Sequence, residues 1–239
     1  MDSITITTVF DNEVFEEGLT PSWGFSCLIQ GLEKTILFDT GGEGEILLGN
    51  MDRLGLDPGT IEVVILSHFH ADHTGGLTDL LNASPCATVY LLETFPDHLK
   101  REAVEGGAQL VAVEEPMQIC PGAYSTGQMG TAIPEQGLVL QTSKGFGLIT
   151  GCAHTGIVEM IARGQEILQG PPYLVMGGFH LYEARRSRIR DIINKFREMN
   201  VAMISPCHCT GSDAMEMFRN AYDERYLPNG AGRVITLTH

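Results

Sequence analysis

The chain has 239 residues, 43% of them hydrophobic, with 30 acidic against 15 basic side chains and a formal charge of −15. That composition excludes a disordered chain and supplies a sizeable core without disulfide or metal staples. The negative balance argues against DNA or RNA as the main partner, because neutralised phosphates supply most of that affinity. No stretch approaches the roughly 18 apolar residues that span a bilayer, so no membrane association is expected. Met1-Asp2-Ser3-Ile4 has no basic region ahead of an apolar run. A secretory signal is therefore not expected, and the cytoplasm is the expected location.

In chain order, short β-type runs come first, at 4–10, 25–30 and 35–38, followed by a helix at 45–54. Residues 61–66 form a nearly continuous apolar strand, as expected of one covered on both faces. Strands at 89–92 and 110–113 flank a helix at 97–105. Segments 138–142 and 146–150 read as a hairpin across Ser143-Lys144-Gly145. A helix at 157–168 and a strand at 173–176 follow. From 184 to 199 the apolar positions Ile189, Ile192, Ile193, Phe196 and Met199 keep the spacing of an amphipathic helix. A strand at 203–205, a helix at 213–222 and a strand at 233–238 close the chain. Strands and helices alternate in two similar halves, with no linker or low-complexity tract between them. The expectation is one domain over 1–239, an α/β sandwich of two sheets with outer helices.

The chemistry gathers where the apolar strand 61–66 stops. His68, His70, Asp72 and His73 follow Leu66-Ser67 and precede Gly75-Gly76. Alternate residues at a strand end project to one side, so His68 and His70 can share one metal. The chain then turns and carries Asp72 and His73 toward a second position. Imidazole and carboxylate donors suit zinc, iron or manganese. The two glycines allow close packing before the next helix. His98, in a polar helix, and His239, at the terminus, are expected to be solvated.

Six cysteines stand at 27, 86, 120, 152, 207 and 209, with no C-x-x-C pair. Free, buried thiols are expected. Packing is the first expectation for Cys152, Cys207 and Cys209 too, although thiolates bind zinc well and these three adjoin histidines.

The segment from His68 to His73 resembles the HxHxDH signature of the metallo-β-lactamase superfamily, and flanking features fall in that family's order. Thr35-Ile36-Leu37-Phe38-Asp39-Thr40-Gly41 is similar to its strand ending in Asp-x-Gly. The resemblance implies a four-layer αββα sandwich, two mixed sheets with outer helices. It implies one or two divalent transition metal ions, zinc first, with manganese or iron as alternatives. His68, His70 and His154 would hold the first ion, and Asp72, His73 and His208 the second. Asp39 would orient a ligand from behind, with Cys152 in a similar supporting place. Asp72 and His180 are the catalytic candidates, His180 as a ligand or proton carrier.

One departure from the superfamily matters. Where most members carry a bridging Asp between the third and last histidine motifs, the residue in order here is His180. An imidazole cannot bridge two ions as a carboxylate does. The second ion is therefore expected to be loosely held, or absent. The motifs GCAHTG, GGFHL and PCHCTG resemble a branch described as metal-dependent hydrolases. That branch also includes an archaeal synthase joining a dihydropterin to an aminobenzene ribofuranosyl phosphate in methanopterin biosynthesis.

The implied function is a hydrolase that uses metal-activated water on a small, anionic or phosphate-bearing substrate. A transferase displacing pyrophosphate in pterin biosynthesis is the alternative, and a non-catalytic metal sensor the third. Six of the 15 basic residues fall between Arg185 and Arg197. Arg185 and Arg186, at the helix start, are the expected contacts for a substrate anion.

Overall fold

The computed structural model describes residues 3–84 and 87–238. Cys86 and His239 lie outside the described residues. Strands β1 (Ser3–Phe10), β2 (Ser26–Gln30) and β3 (Ile36–Phe38) run antiparallel to one another. From β3 onward the sheet turns parallel, through β4 (Val63–Ile65), β5 (Thr88–Leu92) and β6 (Gln109–Val113). The second sheet begins antiparallel, with β7 (Met117–Cys120), β8 (Ala123–Ser125), β9 (Leu138–Thr142) and β10 (Gly145–Thr150). It continues parallel to β10 through β11 (Pro172–Gly178) and β12 (Met203–Cys207). Finally β13 (Val234–Thr238) returns to pair antiparallel with β1, closing a seven-stranded first sheet against a six-stranded second one.

Helices cover both outer faces. Against the first sheet lie α1 (Gly44–Arg53), α3 (Leu77–Ala83) and α4 (Asp97–Glu105), while α2 (Ala71–Thr74) is a single turn beyond the end of β4. Against the second lie α5 (Ile157–Leu168), α6 (Arg186–Glu198) and α7 (Ser212–Tyr222). The apolar patterns explain the layering. On β4, Val63 and Ile65 pack between the sheets while Val64 packs against the helices, so all three are buried. On α6, Ile189, Ile192, Ile193 and Phe196 form the buried stripe, and Lys195 and Arg197 fall at its negative C-terminal end. Phe179, Phe196 and Phe218 meet with ring centroids 5.4–5.8 Å apart, tying the chain beyond β11 to α6 and α7.

The four-layer αββα sandwich is the architecture expected from the sequence. Its differences are local. Strands β7 and β8 carry no alternation strong enough to read. The strand expected at 173–176 extends to Gly178, because its parallel neighbour offers pairing as far as Gly178↔Cys207. Residues 71–74 form one helical turn directly within the histidine motif.

Candidate metal centre

Strands β3, β4, β10, β11 and β12 are among the parallel members of their sheets, and their carboxyl ends open on one rim. Asp39 follows β3, Ser67 to His73 follow β4, and Gly151 to His154 follow β10. Phe179 and His180 follow β11, and His208 follows β12. Carboxyl ends of parallel strands are where open α/β sheets commonly place their ligands.

Two groups of donor atoms form there. His68 Nε2 lies 3.0 Å from His70 Nδ1 and 3.2 Å from His154 Nε2. Beside them, Asp72 Oδ2 lies 3.5 Å from His73 Nε2 and 3.3 Å from His208 Nε2. Cys152 Sγ joins this second group, 3.3 Å from His73 Nε2. Within each group all donor atoms lie within 4.8 Å of one another. The sequence had divided the histidines and Asp72 between the same two positions. It had not placed the sulfur of Cys152 among the donors of the second.

The backs of three rings are held by the protein. Asp39 Oδ2 accepts from His73 Nδ1 at 2.7 Å and from Ser67 Oγ at 2.7 Å. Ser67 Oγ in turn accepts from His68 Nδ1 at 2.8 Å. Asn12 Oδ1 accepts from His208 Nδ1 at 3.1 Å. Each acceptor fixes the proton on Nδ1, which leaves the Nε2 lone pair facing the centre. His208 Nε2 is buried there without a hydrogen bond of good geometry. Such an atom, flanked by a carboxylate and a thiol, fits a cation between them.

The electrostatics differ between the positions. Burial, then the neighbouring imidazoles, hold His68 well below its ordinary pKa, and burial with His180 takes His154 down to about 4. Both are therefore neutral, the form a ligand needs. His73 goes the other way. Burial opposes its charge, but Asp39 and then Asp72 outweigh that and push it up to about 10. Burial likewise disfavours the Asp72 carboxylate, yet contacts with His208 and His73 hold it well below the usual range. The second position thus favours positive charge.

His180 falls with neither group. It lies with Cys152 and Cys209, their donor atoms within 4.8 Å of one another, and its ring is 4.3 Å from that of His154. Asp39, Ala153, His180 and His208 all have φ between +50° and +57°. The left-handed backbone at these four positions points to a locally constrained rim. Gly151 is required by close approach, since a Cβ there would lie 2.2 Å from Ser67 Oγ and 2.9 Å from Asp39 Oδ2. A Cβ at Gly75 would likewise lie 2.2 Å from Gly42 O, which is the close loop packing expected of that glycine pair.

The cleft over the centre holds about 340 Å³ and is edged by Trp23, His70, Asp72, His154, Tyr182 and His208. Trp23 is 56% exposed, Tyr182 55% and Phe69 43%, so the rim presents aromatic faces to solvent. His70 also lines a second groove of about 260 Å³, among Phe69, Leu92, Phe95, Ile133 and Pro134. Beyond His154 and His180 a third cavity, of about 330 Å³, carries Arg188, Asp191 and Lys195. Arg185 and Arg186 do not line it. Arg185 precedes the first turn of α6, and the cations on the face turned to this cavity come one and three turns later.

Glu135 escaped the sequence reading. It is fully buried, pairs with His68 through a single antiparallel bridge, and accepts the amide proton of Thr155 beside His154. Burial pushes its carboxyl up. The clue was a carboxylate directly ahead of the apolar run 138–142. The aromatic rim gave no signal, because Trp23, Phe69 and Tyr182 come from three distant loops. Of the remaining expectations, His98 is exposed as expected and stacks edge-on against Phe69 at 5.6 Å. Cys27, Cys120, Cys152, Cys207 and Cys209 are all free and buried. Among the described residues no helix is long and apolar enough to cross a membrane.

Known proteins resemble this arrangement. The chain is 30% identical to the 7,8-dihydropterin-6-methyl-4-(beta-D-ribofuranosyl)-aminobenzene-5'-phosphate synthase of Methanocaldococcus jannaschii, over 98% of this chain and 97% of that protein. It superposes on a solved metal-dependent hydrolase of the beta-lactamase superfamily with a TM-score of 0.83 and 25% identity, covering 99% of this chain and 100% of that one. The metallo-beta-lactamase fold protein YhfI from Bacillus subtilis gives 0.72 at 12% identity, covering 99% and 100%, a likeness of fold alone. The profile of the metallo-beta-lactamase superfamily matches residues 20–166. The chain belongs to the metallo-beta-lactamase superfamily, a family of enzymes whose fold implies divalent metal.

Proposed function

We propose that the protein is a metal-dependent hydrolase of a small anionic substrate, with the three-histidine position as its reacting centre. The observation that carries this reading is the asymmetry of the two donor groups. His68, His70 and His154 supply three donors against four in the second group, and His70 and His154 share the open cleft with Asp72 and His208. Three protein ligands and an open side are the arrangement of catalytic zinc sites. An ion held there supplies Lewis-acid polarisation and acidified water.

The chain's own residues define the rest. Asp72 spans toward both His73 and His208 and stays ionised, so its Oδ2 holds the two imidazoles together and supplies negative charge at the edge of the cleft. His180 stands beside His154 at the cleft edge. A hydrogen bond with Cys209, the largest influence on its ring, raises its pKa and favours proton donation. Arg188 and Lys195 give the neighbouring cavity positive charge that would hold a phosphate, whereas the sequence had favoured Arg185 and Arg186 at the helix start.

A transferase is the second reading, favoured by the likeness to the pterin synthase over nearly the whole chain. The aromatic rim and the apolar groove beside His70 suit a flat ring system. One experiment separates the two. The zinc-loaded protein is incubated with a dihydropterin carrying a 6-methyl diphosphate, with and without an aminobenzene ribofuranosyl phosphate acceptor. Acceptor-independent phosphate release supports the hydrolase. Pyrophosphate release only with acceptor, together with a joined product, supports the transferase. No turnover of this compound or of an ester and phosphoester panel overturns both.

A further inference from the structure

We propose that Cys152 is a thiolate ligand of the second position, making it a closed, four-donor site of Asp72, His73, Cys152 and His208. This rests on the metal-centre reading above and reverses the expected order of affinity. Bonds of about 2.0–2.3 Å to a tetrahedral zinc put neighbouring donors about 3.3–3.6 Å apart. The measured edges are 3.3 Å (Cys152 Sγ to His73 Nε2), 3.5 Å (Asp72 Oδ2 to His73 Nε2) and 3.3 Å (Asp72 Oδ2 to His208 Nε2). They are three of the six edges of such a tetrahedron, and the other three pairs of donor atoms lie within 4.8 Å of one another.

Two further observations point inward. His208 Nε2 is buried without a hydrogen-bond partner, while its Nδ1 is committed to Asn12. Cys152, 3% exposed, sits between Gly151, which can carry no side chain, and Ala153, whose φ is +55°. That backbone delivers the sulfur to the second position and the ring of His154 to the first, two residues apart.

The sequence suggested a weak second site because no carboxylate stands where a bridge is usual. With Cys152 the second position has four donors and needs no bridge. Closed tetrahedral sites of this kind are the tight, structural ones, and a thiolate selects zinc over manganese or magnesium. The second position therefore fills first, and the three-histidine position exchanges its ion more readily. Cys209 Sγ lies within 4.8 Å of Cys152 Sγ and reaches Cys152 O at 3.7 Å, so it stands beside the site and is not one of the four donors.

Cobalt(II) is the probe. Titrated into metal-free protein, it should produce a near-ultraviolet thiolate-to-cobalt charge-transfer band that is complete at the first equivalent. The band should vanish in Cys152→Ser, with at least a tenfold loss of affinity for that equivalent. It should persist in Cys209→Ser and in His68→Ala/His70→Ala, which binds one ion instead of two. Should Cys152→Ser fail to fold, the wild-type and double-histidine titrations decide alone. A band that grows only with the second equivalent, survives in Cys152→Ser, or never forms while two ions bind overturns the proposal. If neither the wild type nor any variant binds cobalt, the metal centre itself is overturned.

Discussion

Asp39 Oδ2 lies 2.7 Å from His73 Nδ1 with both side chains fully buried, and the same oxygen accepts Ser67 Oγ. Because Ser67 Oγ also meets His68 Nδ1, one carboxylate orients an imidazole in each of the two donor groups. Removing such a partner typically costs 10- to 100-fold in metal affinity (on the order of 1–3 kcal/mol). Asp39→Asn should weaken both positions by about that much, the second more than the first, measured by competition with a chromophoric chelator. Affinities within twofold of wild type would show that Asp39 does not orient the rings.

Gly151→Ala tests the same network sterically. Its Cβ would lie 2.2 Å from Ser67 Oγ, so Ser67 and Asp39 must shift or the strand must. Overpacking of this kind costs about 1–3 kcal/mol. Denaturant unfolding should show that loss in metal-free protein and a larger one with zinc present, because the ligands move too. Equal losses in both states would mean that the strain relaxes away from the centre.

A pH effect is expected away from the donor atoms. Asp11 is 1% exposed, and burial raises its carboxyl from 3.8 to about 6, with Oδ2 unpartnered. A folded pKa above the unfolded one means stability fully present below about pH 4 and lost as the pH rises to about 6. That loss is worth at most about 3 kcal/mol. Asp11→Asn escapes it. Its stability relative to wild type should therefore improve between pH 4 and 6.5 in metal-free protein. Parallel pH profiles would contradict the assignment.

The anion reading separates two pairs of cations. Arg188→Ala/Lys195→Ala should lower kcat/KM for a phosphate-bearing substrate by fivefold or more. Arg185→Ala/Arg186→Ala should stay within about twofold, under ~0.5 kcal/mol. The opposite ranking would move the anion site back to the start of α6.

Much of the centre was legible because its signals are local. The pattern from His68 to His73 is contiguous, and strand ends carry His154 and His208 as isolated but ordered marks. The layering followed from β4 and α6, whose apolar periods are clean. What escaped depends on distance in the chain. Cys152 reads as a packing residue until β10 brings it 3.3 Å from His73, 79 residues earlier. Glu135 and Trp23 come from irregular segments with no period to read. Arg185 and Arg186 were favoured because they start a helix, whereas the cations that line the cavity are Arg188, in its first turn, and Lys195, in its third.

The central claim is a two-position metal centre at the carboxyl ends of these strands. Anomalous diffraction at the zinc edge, on crystals of zinc-loaded protein, tests it most directly. Two peaks are expected, one among His68 Nε2, His70 Nδ1 and His154 Nε2, the other among Asp72, His73, Cys152 and His208. A map with no peak in either group, or with zinc bound only elsewhere, would contradict it.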